Sequence, residues 1–368
     1  MDNIYNFDKY LINGKNDILS LSKTELKDLI KNKLNTESFR ADQIYSWIYN
    51  PTSKLMGEID FRDMSNISKS HQKIFGDHLY IGKLEIIKKQ ISIDGTVKYL
   101  FGLHDGNMIE SVFMKYNHGN TICISTQVGC RMGCAFCASS AGGLSRNLLP
   151  SEMLLQIMTA QRDVGERISN VVLMGIGEPL DNFENVIKFL ELVNGKDGLN
   201  IGYRHISLST CGLADKINEL KRINIPVTLS ISLHAPNDEI RNKIMPVNNK
   251  WNVDKILKSC KEYAKFTKRR ISFEYILIDK INVSEENAAE LAYKVKNILC
   301  HVNLILINET PEKNFSPPNI KTAQKFQKTL EDYGINATFR RKCGADIEAA
   351  CGQLRKNNVV GDGVLDVP

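Results

Sequence analysis

No stretch of this 368-residue chain stays apolar for the ~18 residues that a membrane-crossing helix requires. Its opening, MDNIYNFDKYLING, is acidic and polar where a secretory signal carries a basic start and an apolar run, so the cytoplasm is the expected compartment. Internal repeats and low-complexity tracts are also missing. The nine cysteines are odd in number and scattered apart from one cluster, which excludes a simple disulfide framework and makes reduced thiols the default. Downstream of that cluster there is no second C-x2-C pair and no His pair, so the partner knuckle of a structural zinc site is lacking.

What is present suits an enzyme-sized globular protein with one large domain and an accessory domain. Forty-eight Lys and Arg against 42 Asp and Glu give a net charge of +6, a mild bias toward an anionic partner. The first ~80 residues read as short helices, TELKDLIKNKL and SFRADQIYSWIYN, with Ile44, Trp47 and Ile48 on one helical face and Trp47 a core residue. In KLEIIKKQISIDGTVKYLFGL two strand-like runs flank Asp94-Gly95, a dipeptide that suits a type I′ hairpin. MIESVFMKY then leads through NHGN to TICIS.

Beyond this point strand-like runs (TICIST, VVLMG, RHISLST, PVTLSISL, ISFEYIL, VNLILIN) alternate with helix-like ones such as SEMLLQIMTAQRDV and VDKILKSCKEYAKF. The expected fold class is therefore α/β, an incomplete βα barrel of about six units, with a small helical N-terminal accessory domain and a β-hairpin extension. The corresponding segments are 1–82, 83–120, 121–345 for the partial barrel, and 346–368 for a C-terminal segment whose last residues, RKNNVVGDGVLDVP, look loosely ordered. Ligands of such a sheet gather at the carboxyl ends of its strands.

Cys130, Cys134 and Cys137 are spaced C-x3-C-x2-C directly after the first strand of the alternating region, with Gly129 and Gly133 allowing sharp curvature. Soft thiolates select zinc or iron–sulfur centres. Three of them can hold three irons of a 4Fe-4S cluster and leave the fourth open. Other strand ends carry polar groups: Gly175-Ile176-Gly177-Glu178-Pro179 after VVLM, Ser209 in RHISLST, Ser232-Leu233-His234 at the end of PVTLSISL, and Asn308 after VNLILIN.

The three-cysteine spacing resembles that of the radical S-adenosylmethionine (SAM) enzymes. That resemblance implies a 4Fe-4S cluster on Cys130, Cys134 and Cys137, with SAM on the open iron, and SAM contacts from Gly177, Glu178, Ser209, Ser232, Leu233, His234 and Asn308. IESVFMKYNHGNTICISTQVGCRMGCAFCAS, GIGEPLDN with SLHAPNDEIR, and ADIEAACGQL are similar to the bacterial dual-specificity RNA (adenine-carbon-2) methyltransferases of the RlmN family, over about residues 20–356. The chemistry this implies suits the target. Carbon-2 of adenine is electron-poor and cannot attack a sulfonium methyl, whereas a thiolate can. Cys351 would take the methyl, a radical derived from a second SAM would activate that S-methyl group for addition to adenine, and Cys123 would resolve the protein–RNA adduct, leaving a Cys123–Cys351 disulfide. Glu110 would accept the carbon-2 proton. On its own strand, Cys123 alternates with Ile122 and Ile124 and so points away from their face.

By the same resemblance the partners are 23S rRNA and tRNA, an external electron donor and a thiol reductant, with no membrane and a monomeric chain. Lys268-Arg269-Arg270 and Arg340-Arg341-Lys342 are candidate RNA-backbone contacts. Cys343 departs from the family pattern and is either inert or able to form an off-pathway disulfide, while Cys211, Cys260 and Cys300 read as core or helix thiols. Two other readings remain: methylation of carbon-8 of the same rRNA adenosine, and a zinc-bearing RNA-binding protein without catalysis.

Overall fold

The computed structural model describes residues 6–50, 59–308, 315–349 and 353–354. Seven strands run parallel in chain order: Thr121–Cys123, Asn170–Leu173, Ile206–Thr210, Thr228–Ser232, Ile271–Leu277, Cys300–Leu306 and Ala337–Phe339. Each returns to the same end of the sheet through a helix packed on its face, such as Pro150–Val164, Phe183–Asn194 or Val253–Thr267, as a parallel connection requires. Ile271–Leu277 is buried at every position, as befits a strand covered on both faces. The seventh strand extends the six units expected from sequence; at three residues it is too short to show a period of two.

Glu85–Ile91, Val97–Gly102 and Met108–Met114 continue the same sheet with antiparallel pairing, for ten strands in all. The connection at Asp94-Gly95 is not the type I′ turn expected. Ser92 N bonds to Thr96 O, leaving the three-residue loop Ile93–Gly95, and only Gly95, at φ 81°, is left-handed. A type I′ turn needs positive φ at both central residues; a three-residue loop with a left-handed glycine does not.

At the N-terminus, Ser22 and Glu25 form a capping box that starts the helix Lys23–Asn32, and the helices Arg40–Ile48 and Lys69–His78 pack beside it. Trp47 is half-buried against the core, with its indole N–H donating to Asn66 Oδ1 at 2.7 Å. Buried residues of this region, including Leu26, Ile44 and Phe75, belong to the same apolar core as the sheet, which they meet through the turn Ile18–Ser20 against the helix Pro150–Val164. Among the described residues no helix is long and apolar enough to cross a membrane.

Candidate active site

The loop between the first two parallel strands carries the three clustered thiols. Gly129 (φ 80°) and Gly133 (φ 70°) are both left-handed, as the curvature argument requires. The short hairpin Gln127–Gly129 with Leu144–Asn147 closes the loop at its base, and Cys130 N donates to Gly143 O while Ala135 N donates to Ile244 O. Cys130, Cys134 and Cys137 face a cavity of about 160 Å³ at the carboxyl ends of the strands. Burial, with Glu178 and Cys137 nearby, pushes the Cys130 thiol up to about 12. Burial and the two neighbouring thiols likewise raise Cys134.

Among the described residues no three His, Cys, Asp or Glu groups converge on one ion position. Structural zinc needs such convergence, with sulfurs at ~2.3 Å from a single ion. Three thiols spread around one cavity suit a cluster in which each holds a different iron. Proton loss that is unfavourable for the unliganded thiols becomes favourable when a metal takes the sulfur. Three soft thiolates around one cavity fit an iron–sulfur cluster.

The wall opposite is built from the other strand ends. Glu178 is 4% exposed, and its carboxylate accepts from Cys211 N at 2.8 Å and Leu180 N at 3.0 Å while burial raises its pKa. Gly175 and Gly177 both line this cavity and also meet a steric demand of the fold itself. A Cβ on Gly175 would lie 2.6 Å from Ile124 O, and one on Gly177, at φ 106°, would lie 2.6 Å from Gln127 Cβ. The glycines let this turn cross the end of the neighbouring strand. Ser209, Ser232, His234 and Asn308 line the same cavity, as expected. Leu233 does not: its side chain is buried in the core, and its carbonyl accepts from Arg241 Nε at 2.9 Å. His234 is held left-handed at φ 60°, takes a bond from Ile276 N on Nδ1 at 3.0 Å, and meets Phe136 of the thiol loop edge-on. Burial and Arg241 lower its pKa to about 3, so the ring is neutral with its proton on Nε2.

A second cavity of about 330 Å³ adjoins the first and shares Ile305, Asn308 and Arg340 with it. Cys123 lines this one, on the face opposite Ile122 and Ile124, as its alternation implied. Val112 lies directly across from Cys123 in the sheet, and Glu110 is two residues before it on the same face. Glu110 is buried in an interior strand and pairs with Lys98 Nζ at 2.9 Å. Cys351 lies outside the described residues, as does the tail from 355 onward. Its described neighbours are at the site: Ala349 and Leu354 pack in one cluster with Cys123, and Gln353 lines the first cavity. Cys343 also faces the second cavity, 3.5 Å from the Tyr116 hydroxyl.

Three further residues matter that sequence reasoning passed over or assigned elsewhere. Arg241, fully buried, donates to the carbonyls of Cys211, Ser232 and Leu233 and to Asn248 Oδ1, and so ties two neighbouring strand ends to the turn Pro246–Asn249. Glu274, the one acid in ISFEYIL, lines the first cavity and accepts from Ser272 Oγ and Asn303 Nδ2. Arg340 sits at the seam of the two cavities, 3.7 Å from Glu274. Cys211, expected as a core thiol, borders the first cavity as well, while Cys260 is a buried helix thiol and Cys300 a half-buried one at a strand start. Lys268-Arg269-Arg270 precedes the strand Ile271–Leu277, at the sheet end remote from the cavities, so it is no part of this site.

A parallel sheet with a three-thiol loop and a cavity at its strand ends defines the radical SAM class, and residues 124–292 match the Radical SAM superfamily. Residues 16–81 match the ribosomal RNA large subunit methyltransferase N-terminal domain. The chain is 51% identical over 344 residues to a probable dual-specificity RNA methyltransferase RlmN of Clostridium novyi, covering 93% of this chain and 98% of that one. It is 47% identical to the protein of that name from Desulforamulus reducens, over 94% of this chain and 97% of the other. A crystal structure of a radical SAM methyltransferase from Sphaerobacter thermophilus superimposes with a TM-score of 0.87 at 38% identity, over 92% of this chain and 99% of that one. The chain belongs to the RlmN family of radical SAM RNA methyltransferases.

Proposed function

We propose that the protein methylates carbon-2 of adenosine in 23S rRNA and in tRNA beside the anticodon, with Cys351 as methyl acceptor and Cys123 as resolving thiol. The observation that carries this is the shared cavity: Cys123 and Ala349, two residues short of Cys351, line one space that opens through Asn308 and Arg340 onto the three thiols. Cys351 follows Ala349 by two residues in sequence, a chain length of at most about 7 Å. Cys130, Cys134 and Cys137 would hold the 4Fe-4S cluster, and Gly177, Glu178, Ser209, Ser232, His234 and Asn308 would surround SAM. Bound there, the cluster supplies one-electron cleavage of the SAM sulfonium.

The chain's own groups do the rest. The Cys351 thiolate would attack the sulfonium methyl of SAM, with S-adenosylhomocysteine leaving; once that methyl, less one hydrogen taken by the SAM-derived radical, has bonded to carbon-2 of the target adenine, Glu110 would take the carbon-2 proton and Cys123 would attack the Cys351 sulfur, forming a disulfide as the methylated base leaves. The thiol reductant then restores both cysteines. RNA of this kind is reached in the cytoplasm, with its base unstacked to enter the second cavity. The basic run Arg340-Arg341-Lys342, which lines that cavity, supplies phosphate-directed charge.

The test uses anaerobic enzyme, SAM, a reductant and an rRNA fragment. Cys351→Ala retains the cluster and makes no methyladenosine, and Cys123→Ala accumulates a covalent protein–RNA adduct. Digestion of the RNA product yields the 2-methyl isomer. Product from Cys351→Ala, or the 8-methyl isomer from the native chain, refutes the assignment.

A further inference from the structure

The turn Ser92–Thr96 at the tip of the antiparallel hairpin contacts a segment some 250 residues away. Asp94 Oδ2 accepts from Gly344 N at 3.1 Å, Asp346 Oδ2 accepts from Ile93 N at 3.2 Å, and Asp346 Oδ1 accepts from Ser92 Oγ. One strand further in, Lys98 Nζ donates to Glu348 O at 3.2 Å while pairing with Glu110. The contacted segment is wound tightly: Gly344 is left-handed at φ 60°, its carbonyl accepts from both Ile347 N and Ala349 N, and Glu348 is left-handed at φ 50°. Nothing larger fits at Gly344, where a Cβ would stand 2.7 Å from Ala349 Cβ and 3.0 Å from Thr96 Cγ2. On the far side of Cys351 a second tie holds the chain, as Ser139 Oγ donates to Leu354 O at 2.7 Å, two residues after Cys137 in the thiol loop.

We propose that the hairpin turn is a clasp that positions the methyl-accepting thiol. Asp94 and Asp346 fix the segment Gly344–Ala349, Lys98 links that segment to Glu110, and Ser139 ties Leu354, so that the described chain on either side of position 351 in sequence is held, one flank by the hairpin and the other by the thiol loop. The inference rests on the reading in which Cys351 carries the methyl. It assigns work to a hairpin that does not line either cavity at its turn. The two carboxylates suit the task because each accepts backbone N–H groups whose partners would otherwise be water, and such bonds to a charged acceptor are the stronger kind. Both carboxyls accordingly lie below the ordinary range, Asp94 through bonds from Thr96 and Gly344, Asp346 through bonds from Ser92 and Ile93.

The experiment compares Asp346→Ala, Asp94→Ala and the conservative Asp346→Asn, each in the full chain. Hydrogen exchange followed by peptide mass reads the clasp without any cofactor: in both alanine variants the amides of 343–349 lose protection by about tenfold, the order of one lost charge-assisted bond, while peptides of the strands Ile206–Thr210 and Ile271–Leu277 keep theirs. In the reconstituted enzyme kcat for RNA methylation falls at least tenfold with KM for RNA unchanged. Asp346→Asn, whose amide oxygen still accepts from Ile93 N, recovers most of both effects. Unchanged protection of 343–349 overturns the clasp, as does an equal loss of protection across the sheet, which would mark a general structural defect. Failure of the functional reading is separately visible as methylation by Cys351→Ala, because the exchange measurement does not depend on it.

Discussion

Replacing Arg241 with methionine tests how the cofactor wall is held. The side chain is fully buried and spends its donors on the carbonyls of Leu233 (2.9 Å), Cys211 (2.6 Å), Ser232 (3.2 Å) and Trp251 (3.4 Å) and on Asn248 Oδ1 (2.9 Å). Methionine matches the apolar stem and removes every donor, leaving buried acceptors unsatisfied. Each unmet acceptor costs roughly 1–3 kcal/mol. The Asn248 amide nitrogen keeps its bonds to Asp238 and Asn242, but its Oδ1 loses the guanidinium donor; the longest contact, to Trp251, contributes least. Four acceptors then lose their donor, giving an expected loss of at least about 4 kcal/mol, which is a large fraction of the ~5–15 kcal/mol by which domains are stable. Urea unfolding of the chain without cofactor measures it. Arg241→Lys keeps the charge but offers one compact donor group in place of a planar fork, and should recover less than half. A loss under about 1 kcal/mol for Arg241→Met, or full recovery by lysine, refutes the bridging role.

Two further outcomes follow from single buried features. Asp17 is fully buried, with Oδ2 bonded to Ser20 Oγ at 2.6 Å and Oδ1 unpartnered among the described residues, and burial raises its pKa to about 6. The folded value exceeds the unfolded one of 3.8, so the stability it contributes is fully present below pH ~4 and disappears as pH rises through 6; at ~1.4 kcal/mol per unit, stability should fall by up to about 3 kcal/mol across that window. Denaturant titrations at several pH values should show this fall in the native chain and not in Asp17→Asn; parallel curves for the two would count against it. Gly177→Ala forces a Cβ against Gln127 at positive φ, and should cost about 1–3 kcal/mol while weakening SAM binding in equilibrium dialysis; undiminished stability and binding would show that the turn yields easily.

Much of the site was legible because its chemistry is local. The C-x3-C-x2-C loop, the GIGEP turn and the polar strand ends each declare themselves within a few residues, and the sheet gathers them because successive parallel strands end on the same side. Cys123 could be aimed correctly from alternation alone. The hairpin at Asp94-Gly95 was recognised but mistyped, since a two-residue I′ turn and a three-residue loop both demand glycine after a small polar residue. Composition does not say which end of a strand a residue occupies, so the place of Lys268–Arg270 at the sheet end remote from the cavities was not legible. Arg241, in SLHAPNDEIR, reads as a surface arginine until its carbonyl partners, which come from two strand ends and the loop at Trp251, are known. The clasp between Asp94 and Gly344 was beyond reach for the same reason, its two halves being 250 residues apart.

The charges around the first cavity explain why its ligand should be cationic. Glu178 and Glu274 are both buried at its wall, and burial raises Glu178, so its ionised form is costly in the unliganded chain. Arg340 stands 3.7 Å from Glu274, while the Glu178 carboxylate accepts from the backbone N–H groups of Leu180 and Cys211. A ligand bearing an ammonium and a sulfonium would offset that cost on binding, whereas a phosphate-rich nucleotide would add to it. His234 contributes no charge, being neutral, and Arg241 turns its donors toward carbonyls behind the wall. In the second cavity the balance reverses: Arg340, Arg341 and Lys342 line it, while Glu110 is already matched by Lys98. The two adjoining spaces thus differ in sign, one suited to SAM and the other to the phosphate-flanked base of an RNA, with Arg340 and Asn308 at the only seam the described residues place between them.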